Sequence, residues 1–129
     1  MPEAPGPRIL VVDDSNLVRR YYRTALERAG FAVDEALNGL EAVEKLLETP
    51  FGLVIVDVNM PKMDGITFLS EMRALPAPTG SLPALVTSTE AGAQDKEAAR
   101  RAGANYYLVK PVAEADLVAH VSVLTGWRP

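Results

Sequence analysis

The sequence predicts an α/β fold in which five strands alternate with five helices, (βα)5, around a doubly wound parallel sheet. Five short apolar runs are the first observation, and they occupy residues 9–12, 31–36, 53–56, 84–87 and 106–109. Runs that are apolar on both faces are typical of parallel strands covered by helices on each side. The second observation is that apolar residues recur at helical spacing between these runs.

The first two helices are predicted from apolar stripes and from signals at their ends. Gly30 is a C-terminal stop for the first helix, whose stripe is Val18, Tyr22, Ala25, Leu26 and Ala29. Asn38 precedes Glu41 at the spacing of a capping box, which marks the start of the second helix. The stripe of the second helix ends before Pro50 and consists of Leu40, Val43, Leu46 and Leu47.

The remaining helices have plainer signals. A third helix is marked by Ile66, Leu69 and Met72, and a fifth is marked by Leu117, Val121 and Leu124. The fifth is expected to open just after Pro111, because proline favours a helix start. The fourth, from about 90 to 102, is rich in alanine and charge, and we expect it to be loosely held. The loop at 74–82 contains prolines and a glycine, which predicts a surface excursion.

Length and composition indicate a single domain. The 129 residues are 48% hydrophobic and 23% charged, which fits one core. We expect a disordered N-terminal arm at 1–7, one domain at 8–125 and a C-terminal tail at 126–129. The net charge of −4 argues against a nucleic-acid partner. The lack of an apolar span or signal peptide predicts a cytoplasmic protein with no membrane contact, and the lack of cysteine excludes thiolate catalysis.

Polar residues that follow the predicted strands are the main functional clue: Asp13, Asp14, Asp57, Ser88 and Lys110. In an open parallel sheet the strand C-termini share one edge, where ligands bind, so these side chains should converge. Three converging carboxylates require a cation, and Mg²⁺ (or Mn²⁺) suits oxygen ligands. With Lys110, such an ion would neutralise a phosphoryl group while Asp57 attacks phosphorus. The Ser88 hydroxyl could then donate to a phosphoryl oxygen.

Each of these motifs has a plainer alternative. The acid pair could merely begin a helix, where acids are favoured by the free amides. Residues 57–65 could form an ordinary turn, and Lys110 with Pro111 could close a strand. The coincidence of all the motifs at one sheet edge favours a functional site.

With these residues the chain, from about Arg8 to Leu124, closely resembles the receiver domain of two-component response regulators, in particular the single-domain CheY-like chemotaxis type. The resemblance implies a flavodoxin-like sheet with strand order 2-1-3-4-5. It also implies that Asp57 is the phosphoacceptor and that Asp13, Asp14, Asp57 and the Asn59 carbonyl hold the metal. Lys110 would bind the phosphoryl group.

The resemblance also implies a hydroxyl switch, and three neighbouring hydroxyls compete for that role. Counting from Pro83 and back from Lys110 selects Ser88. Strand alternation turns Thr87 and Thr89 to the other face, although Thr89 stays a neighbouring phosphoryl-binding candidate. In the family Tyr107 would be the aromatic residue that swings inward, the Lys110–Pro111 bond would be cis, and Asn59 and Glu90 would tune autodephosphorylation.

The implied function is a signalling phosphoacceptor that is not an enzyme in the ordinary sense. A CheA-like sensor histidine kinase would donate the phosphoryl group. Output would pass through the fourth helix, fifth strand and fifth helix to a flagellar motor switch or a phosphorelay protein, and a phosphatase could act on the product. We expect a monomer, a chemotaxis role, and His120 as a surface residue of the output face.

Three other functions remain as alternatives. The chain could be a phosphorelay shuttle, a receiver module from a larger regulator, or a scaffold that is independent of phosphorylation. A phosphatase of the haloacid dehalogenase type is disfavoured, because its general acid/base aspartate would fall at Asn59.

Overall fold

The computed structural model describes residues 6–128, and they form one five-stranded sheet with helices on both faces. The strands are β1 (Arg8–Val12), β2 (Ala32–Ala36), β3 (Leu53–Asp57), β4 (Ala84–Ser88) and β5 (Tyr106–Val109). The helices are α1 (Asn16–Arg28), α2 (Gly39–Glu48), α3 (Gly65–Arg73), α4 (Ala93–Ala102) and α5 (Glu114–Thr125), with a 3₁₀ turn at Thr79–Ser81. All neighbouring strands are parallel, in the order 2-1-3-4-5, which confirms the predicted (βα)5 fold.

The sheet separates two apolar layers because successive strand side chains point to opposite faces. Ile9 and Val11 of β1 pack with Tyr22 and Leu26 of α1 and with α5. Leu10 and Val12 pack in the other layer with residues of α2, α3 and α4. The central strand β3 is buried along its whole length. Among the described residues no helix is long and apolar enough to cross a membrane.

Two helix predictions need correction. The fifth helix begins at Glu114, two residues after the expected start, because Val112 is buried in the core and its carbonyl accepts a hydrogen bond from the Tyr21 hydroxyl. In α2, Asn38 caps the helix as predicted, but Leu40 and Leu47 are exposed. The inward face of α2 carries Ala42 and Leu46 instead.

The loop at 74–82 lies at the surface as predicted, with Pro76, Ala77 and Pro78 exposed, but it is firmly held. Gly80 is buried, and a Cβ there would collide with the Leu75 carbonyl oxygen, so the close approach requires glycine. Arg73 Nη1 donates to the carbonyls of Gly80 and Leu82 at 3.0 and 2.6 Å. The same guanidinium also donates to the Gly103 carbonyl beyond α4, so one side chain ties this loop to the end of α4.

The ends of the described chain are packed as well. Residues 1–5 of the expected disordered arm, and Pro129 of the tail, lie outside the described residues. Gly6 is buried and donates to the Gly30 carbonyl at 3.1 Å, which corrects the prediction for that part of the arm. In the expected tail, the Trp127 ring packs edge-on against Phe31, with ring centres 4.8 Å apart.

Candidate functional site

The candidate site lies where four parallel strands end at one edge of the sheet. Asp57 and Ser88 are the last residues of β3 and β4, whereas Asp13 and Lys110 come directly after β1 and β5. The Lys110 amide donates to the Ser88 carbonyl at 2.7 Å, which extends the pairing of β5 with β4. The strand register therefore fixes the relative positions of these side chains.

Lys110 bridges the two buried acids of the site. Its Nζ donates to Asp13 Oδ2 at 2.8 Å and lies 3.0 Å from Asp57 Oδ1. Asp13 and Asp57 are only 1% and 5% exposed. Asp14 is exposed, yet one carboxylate oxygen from each of the three aspartates lies within 4.8 Å of the others. One ammonium thus faces three carboxylates, and the remaining negative charge and hard oxygen donors fit a divalent cation.

The protonation behaviour of the site follows from this arrangement. Burial raises the pKa of Asp57 above its ordinary value of 3.8; the Lys110 hydrogen bond opposes the rise, and the charges of Asp13 and Asp14 add to it. Burial disfavours the Lys110 ammonium, but the hydrogen bonds to Asp13 and Asp57 outweigh burial and raise the pKa of Lys110. Lys110 is therefore a cation at neutral pH, and the carboxylate form of Asp57 is less favourable than in water.

Local turns aim the acidic side chains. The Ser15 amide donates to Asp13 Oδ1 at 2.9 Å, and Ser15 Oγ accepts from the Val18 amide as the N-cap of α1. After β3, the Gly65 amide donates to the Val58 carbonyl at 2.9 Å. A Cβ on Gly65 would collide with the Asp57 carbonyl oxygen, so glycine lets α3 begin directly against the strand end.

The three hydroxyl residues at the end of β4 have different surroundings. Ser88 is fully buried, and its Oγ accepts from the Glu90 amide at 3.0 Å. Thr87 is also buried, and among the described residues its hydroxyl has no hydrogen-bond partner. Thr89 is exposed and lines a cavity beside Lys110 and Pro111. Of the three, Ser88 is the one whose hydroxyl is held in the turn that follows the strand.

The remaining predicted residues surround this turn. The Tyr107 hydroxyl donates to the Glu90 carbonyl at 2.8 Å, and the Tyr107 ring is half-buried. The side chains of Glu90 and Asn59 are exposed, and the Lys110–Pro111 peptide bond is cis. A hydrogen-bonded path thus runs from the Ser88 hydroxyl through Glu90 to Tyr107. His120 lies away from the acids, where its ring stacks 4.5 Å from that of Tyr106.

Residues 9–122 match the model of the response regulator receiver domain. The chain belongs to this family.

Two curated relatives of this receiver domain are transcriptional regulatory proteins. The transcriptional regulatory protein PrrA of Mycobacterium leprae is 38% identical over 123 residues, which are 95% of this chain and 52% of that protein. PrrA of Mycobacterium tuberculosis is 37% identical over the same shares. The chain therefore spans about half the length of these curated relatives.

Solved structures of receiver domains are also similar. The chemotaxis protein CheY4 of Vibrio cholerae is 32% identical, with a TM-score of 0.85, over 91% of this chain and 97% of that one. The receiver domain of the Francisella response regulator 1452 is 26% identical, with a TM-score of 0.86, over 94% and 98% of the two chains. The receiver family is thus shown, whereas the single-domain chemotaxis type is not distinguished from receivers of longer regulators.

One residue of this receiver domain was missed by the sequence analysis. Arg19 is 5% exposed and donates through Nη1 to the Asp13 carbonyl at 2.5 Å. Its Nε donates to Glu35 Oε1 at 2.9 Å. A signal was available, since Arg19 stands three residues before Tyr22 on the buried stripe of α1. A charged residue on an apolar stripe requires a buried partner.

Proposed function

We propose that this receiver accepts a phosphoryl group on Asp57 from a sensor histidine kinase, in the presence of Mg²⁺ or Mn²⁺. The observation that carries the proposal is the buried Asp57 carboxylate, 3.0 Å from an ammonium and within 4.8 Å of two other acids. Asp57 supplies a nucleophilic oxygen, Lys110 supplies a cation for the incoming phosphoryl oxygens, and the aspartates supply oxygen ligands for a metal.

In the transfer, one oxygen of the Asp57 carboxylate attacks phosphorus of the phosphohistidine. The new O–P bond forms as the P–N bond breaks, and the bonding electron pair leaves with the imidazole nitrogen. Lys110, which already faces Asp57, binds a phosphoryl oxygen. The carboxylates of Asp13, Asp14 and Asp57 and the Asn59 backbone carbonyl would hold the metal, which neutralises phosphoryl charge when bound.

The new phosphoryl group acts on the neighbouring turn. Ser88 Oγ accepts from the Glu90 amide, and its own hydroxyl proton is available to donate to a phosphoryl oxygen. Movement of this turn would shift the Glu90 carbonyl, which holds the Tyr107 hydroxyl. Tyr107 is therefore proposed to swing inward as the switch aromatic, with Thr89 as a neighbouring phosphoryl contact. The exposed side chains of Asn59 and Glu90 would control water access to the acyl phosphate.

Output is proposed to pass through the face formed by α4, β5 and α5. This face carries the exposed Tyr106, Val109 and Val123, with His120 stacked on Tyr106. The similarity to a chemotaxis protein suits a flagellar-motor or relay partner. We also propose that the protein is a monomer. The alternative is a receiver module of a longer regulator, which is favoured by the match to about half of PrrA.

Intact-protein mass spectrometry after treatment with acetyl phosphate tests the phosphoacceptor. The samples are the wild type with and without Mg²⁺, Asp57→Asn, and the matched control Asp64→Asn. Asp64 is the exposed N-cap of α3, and asparagine also caps helices, so this control changes a nearby acid outside the cluster. We expect one Mg²⁺-dependent phosphoryl group on the wild type and on Asp64→Asn, and none on Asp57→Asn. No gain in the wild type, or an equal gain in Asp57→Asn, would contradict the proposal.

A further inference from the structure

The side chain of Arg19, behind the acidic cluster, has no part in the chemistry described above. We propose that Arg19 is a positioning residue that fixes the backbone of Asp13, so that the carboxylates of Asp13 and Asp14 face Asp57 before a cation arrives. This inference rests on the proposed function, because it concerns how the same cluster binds its divalent cation.

The hydrogen bonds of Asp13 show why a backbone contact matters here. Its amide donates to the Ala36 carbonyl at 3.1 Å, and its two carboxylate oxygens accept from the Ser15 amide and Lys110 Nζ. The remaining polar atom, the Asp13 carbonyl oxygen, accepts from Arg19 Nη1. Every polar atom of Asp13 is thus engaged, and Arg19 holds the peptide that joins Asp13 to Asp14.

Arg19 is itself held firmly enough to act as a support. Besides the Asp13 carbonyl, its guanidinium donates to Glu35 Oε1 on β2 and to the Asn16 side chain. Burial raises the pKa of Glu35, but hydrogen bonds from Arg23 and Arg19 outweigh burial and leave it lowered. Glu35 is therefore a carboxylate that balances the charge of Arg19. The turn after β1 is anchored in this way to the edge strand.

Arg23 provides a natural control. It donates to Glu35 Oε2 at 2.7 Å, and so it belongs to the same ion-pair network. It also donates to Glu27 on its own helix. A variant at Arg23 therefore disturbs the network around Glu35 and leaves the bond to the Asp13 carbonyl in place.

The sign of the effect separates positioning from simple charge. If only charge mattered, removing a cation near three carboxylates should tighten the binding of a divalent ion, because the side chain no longer repels that ion. Removing the support of the peptide between two ligands should weaken it, because the carboxylates must then be ordered by the ion itself. Lysine at position 19 keeps the charge but lacks the fork that reaches the carbonyl and Glu35 together.

The test is Mn²⁺ binding followed by electron paramagnetic resonance for the wild type, Arg19→Lys, Arg19→Met and Arg23→Met, with circular dichroism to verify folding. We expect both Arg19 variants to bind Mn²⁺ about tenfold more weakly, and Arg23→Met to bind as the wild type does. Arg19→Lys keeps the test decisive if Arg19→Met does not fold.

Wild-type affinity in Arg19→Lys, tighter binding in Arg19→Met, or an equal loss in Arg23→Met would overturn the inference. Failure of the wild type to bind Mn²⁺ would instead remove the proposed metal site, and the positioning role with it. Phosphorylation by acetyl phosphate gives a second readout: loss of positioning should raise the Mg²⁺ concentration needed for half-maximal rate more than it lowers the rate at saturating Mg²⁺.

Discussion

Helices α1 and α4 flank the same sheet on opposite faces, but they are attached to it very differently. α1 begins with a side-chain cap from Ser15 and buries Arg19, Tyr22, Ala25 and Leu26. α4 has no side-chain cap and buries only Ala99. Burial of large apolar side chains is the main contribution to folding stability. α1 is therefore part of the core, whereas α4 packs only weakly on the sheet. The acidic cluster is tied to the firmly attached helix, because Arg19 of α1 donates to the Asp13 carbonyl.

The attachment of α4 is also uneven along its length. At its C-terminal end, Gly103 has a φ of 111° and its carbonyl accepts from Arg73. At its N-terminal end, the residues from Thr89 to Gly92 are exposed. This free end follows directly on the Ser88 turn, so a change at the proposed phosphorylation site would reach the loosely held end of α4 first.

The largest expected difference between the two helices is in global stability. Leu26→Ala should lower the free energy of unfolding by about 3 kcal/mol, because it opens a cavity under α1. Ala99 is the buried residue of α4. Ala99→Gly removes its methyl group and should lower the free energy of unfolding by about 1 kcal/mol. Urea denaturation measures both, with Ala25→Gly as the chemically matched change in α1. A greater loss of stability for Ala99→Gly than for Ala25→Gly would show that α4 is attached to the sheet at least as firmly as α1.

A smaller effect of opposite sign is expected at Asp57. Its pKa is raised by burial and by neighbouring acids, so the ionised form opposes folding once the pH exceeds the ordinary value of 3.8. Without divalent cations at neutral pH, Asp57→Asn should therefore raise the stability by about 1 kcal/mol and the Tm by roughly 3–5 °C. The gain should shrink as the pH falls toward 3.8.

Thermal unfolding across this pH range checks the Asp57 prediction, and Asp64→Asn is the control because Asp64 lies outside the cluster. A lower Tm for Asp57→Asn at neutral pH would mean that the Lys110 contact outweighs burial. The contact between Asp57 and Lys110 would then contribute to the stability of the folded protein.

The smallest effect is expected on the surface of α4. Glu97 accepts hydrogen bonds from Arg100 and Arg101, all within the same helix. Glu97→Gln should leave the Tm unchanged but speed amide hydrogen exchange within residues 93–102, because exposed pairs support only their own helix. Exchange detected by mass spectrometry measures this. A change in exchange that extends to α1 would show that the two helices are coupled.

The sequence was sufficient for the elements of the fold because their signals are local, whereas the strand order was implied by the family resemblance. Apolar runs identified all five strands, helical stripes identified four helices, and the richness in alanine and charge identified α4. The parallel arrangement then placed Asp13, Asp57, Ser88 and Lys110 at one edge. Proximity at the edge follows from topology, so it could be anticipated without side-chain coordinates.

Features that depend on distant contacts could not be anticipated in this way. The late start of α5 depends on Val112 entering the core, and the fixed loop at 74–82 depends on Arg73 reaching it from α3. The exposed Leu40 and Leu47 reflect which face of α2 meets the sheet, which the stripe alone leaves open. The position of Arg19 on the buried stripe of α1 was readable from the sequence, but its partners were not, because the Asp13 carbonyl and Glu35 reach it only through the fold.

The packing of Gly6 against Gly30 and Trp127 has a consequence for engineering. A Cβ on Gly6 would lie 2.9 Å from the Trp127 ring, so the first and last described parts of the chain are in contact. Gly6 precedes β1, whereas Asp57 ends β3, and the two therefore lie at opposite edges of the parallel sheet. A circular permutant could join residues 6 and 127 through a short linker. A fluorophore or surface tether attached near either residue would extend away from the edge of the sheet that carries the acidic cluster and leave that edge accessible.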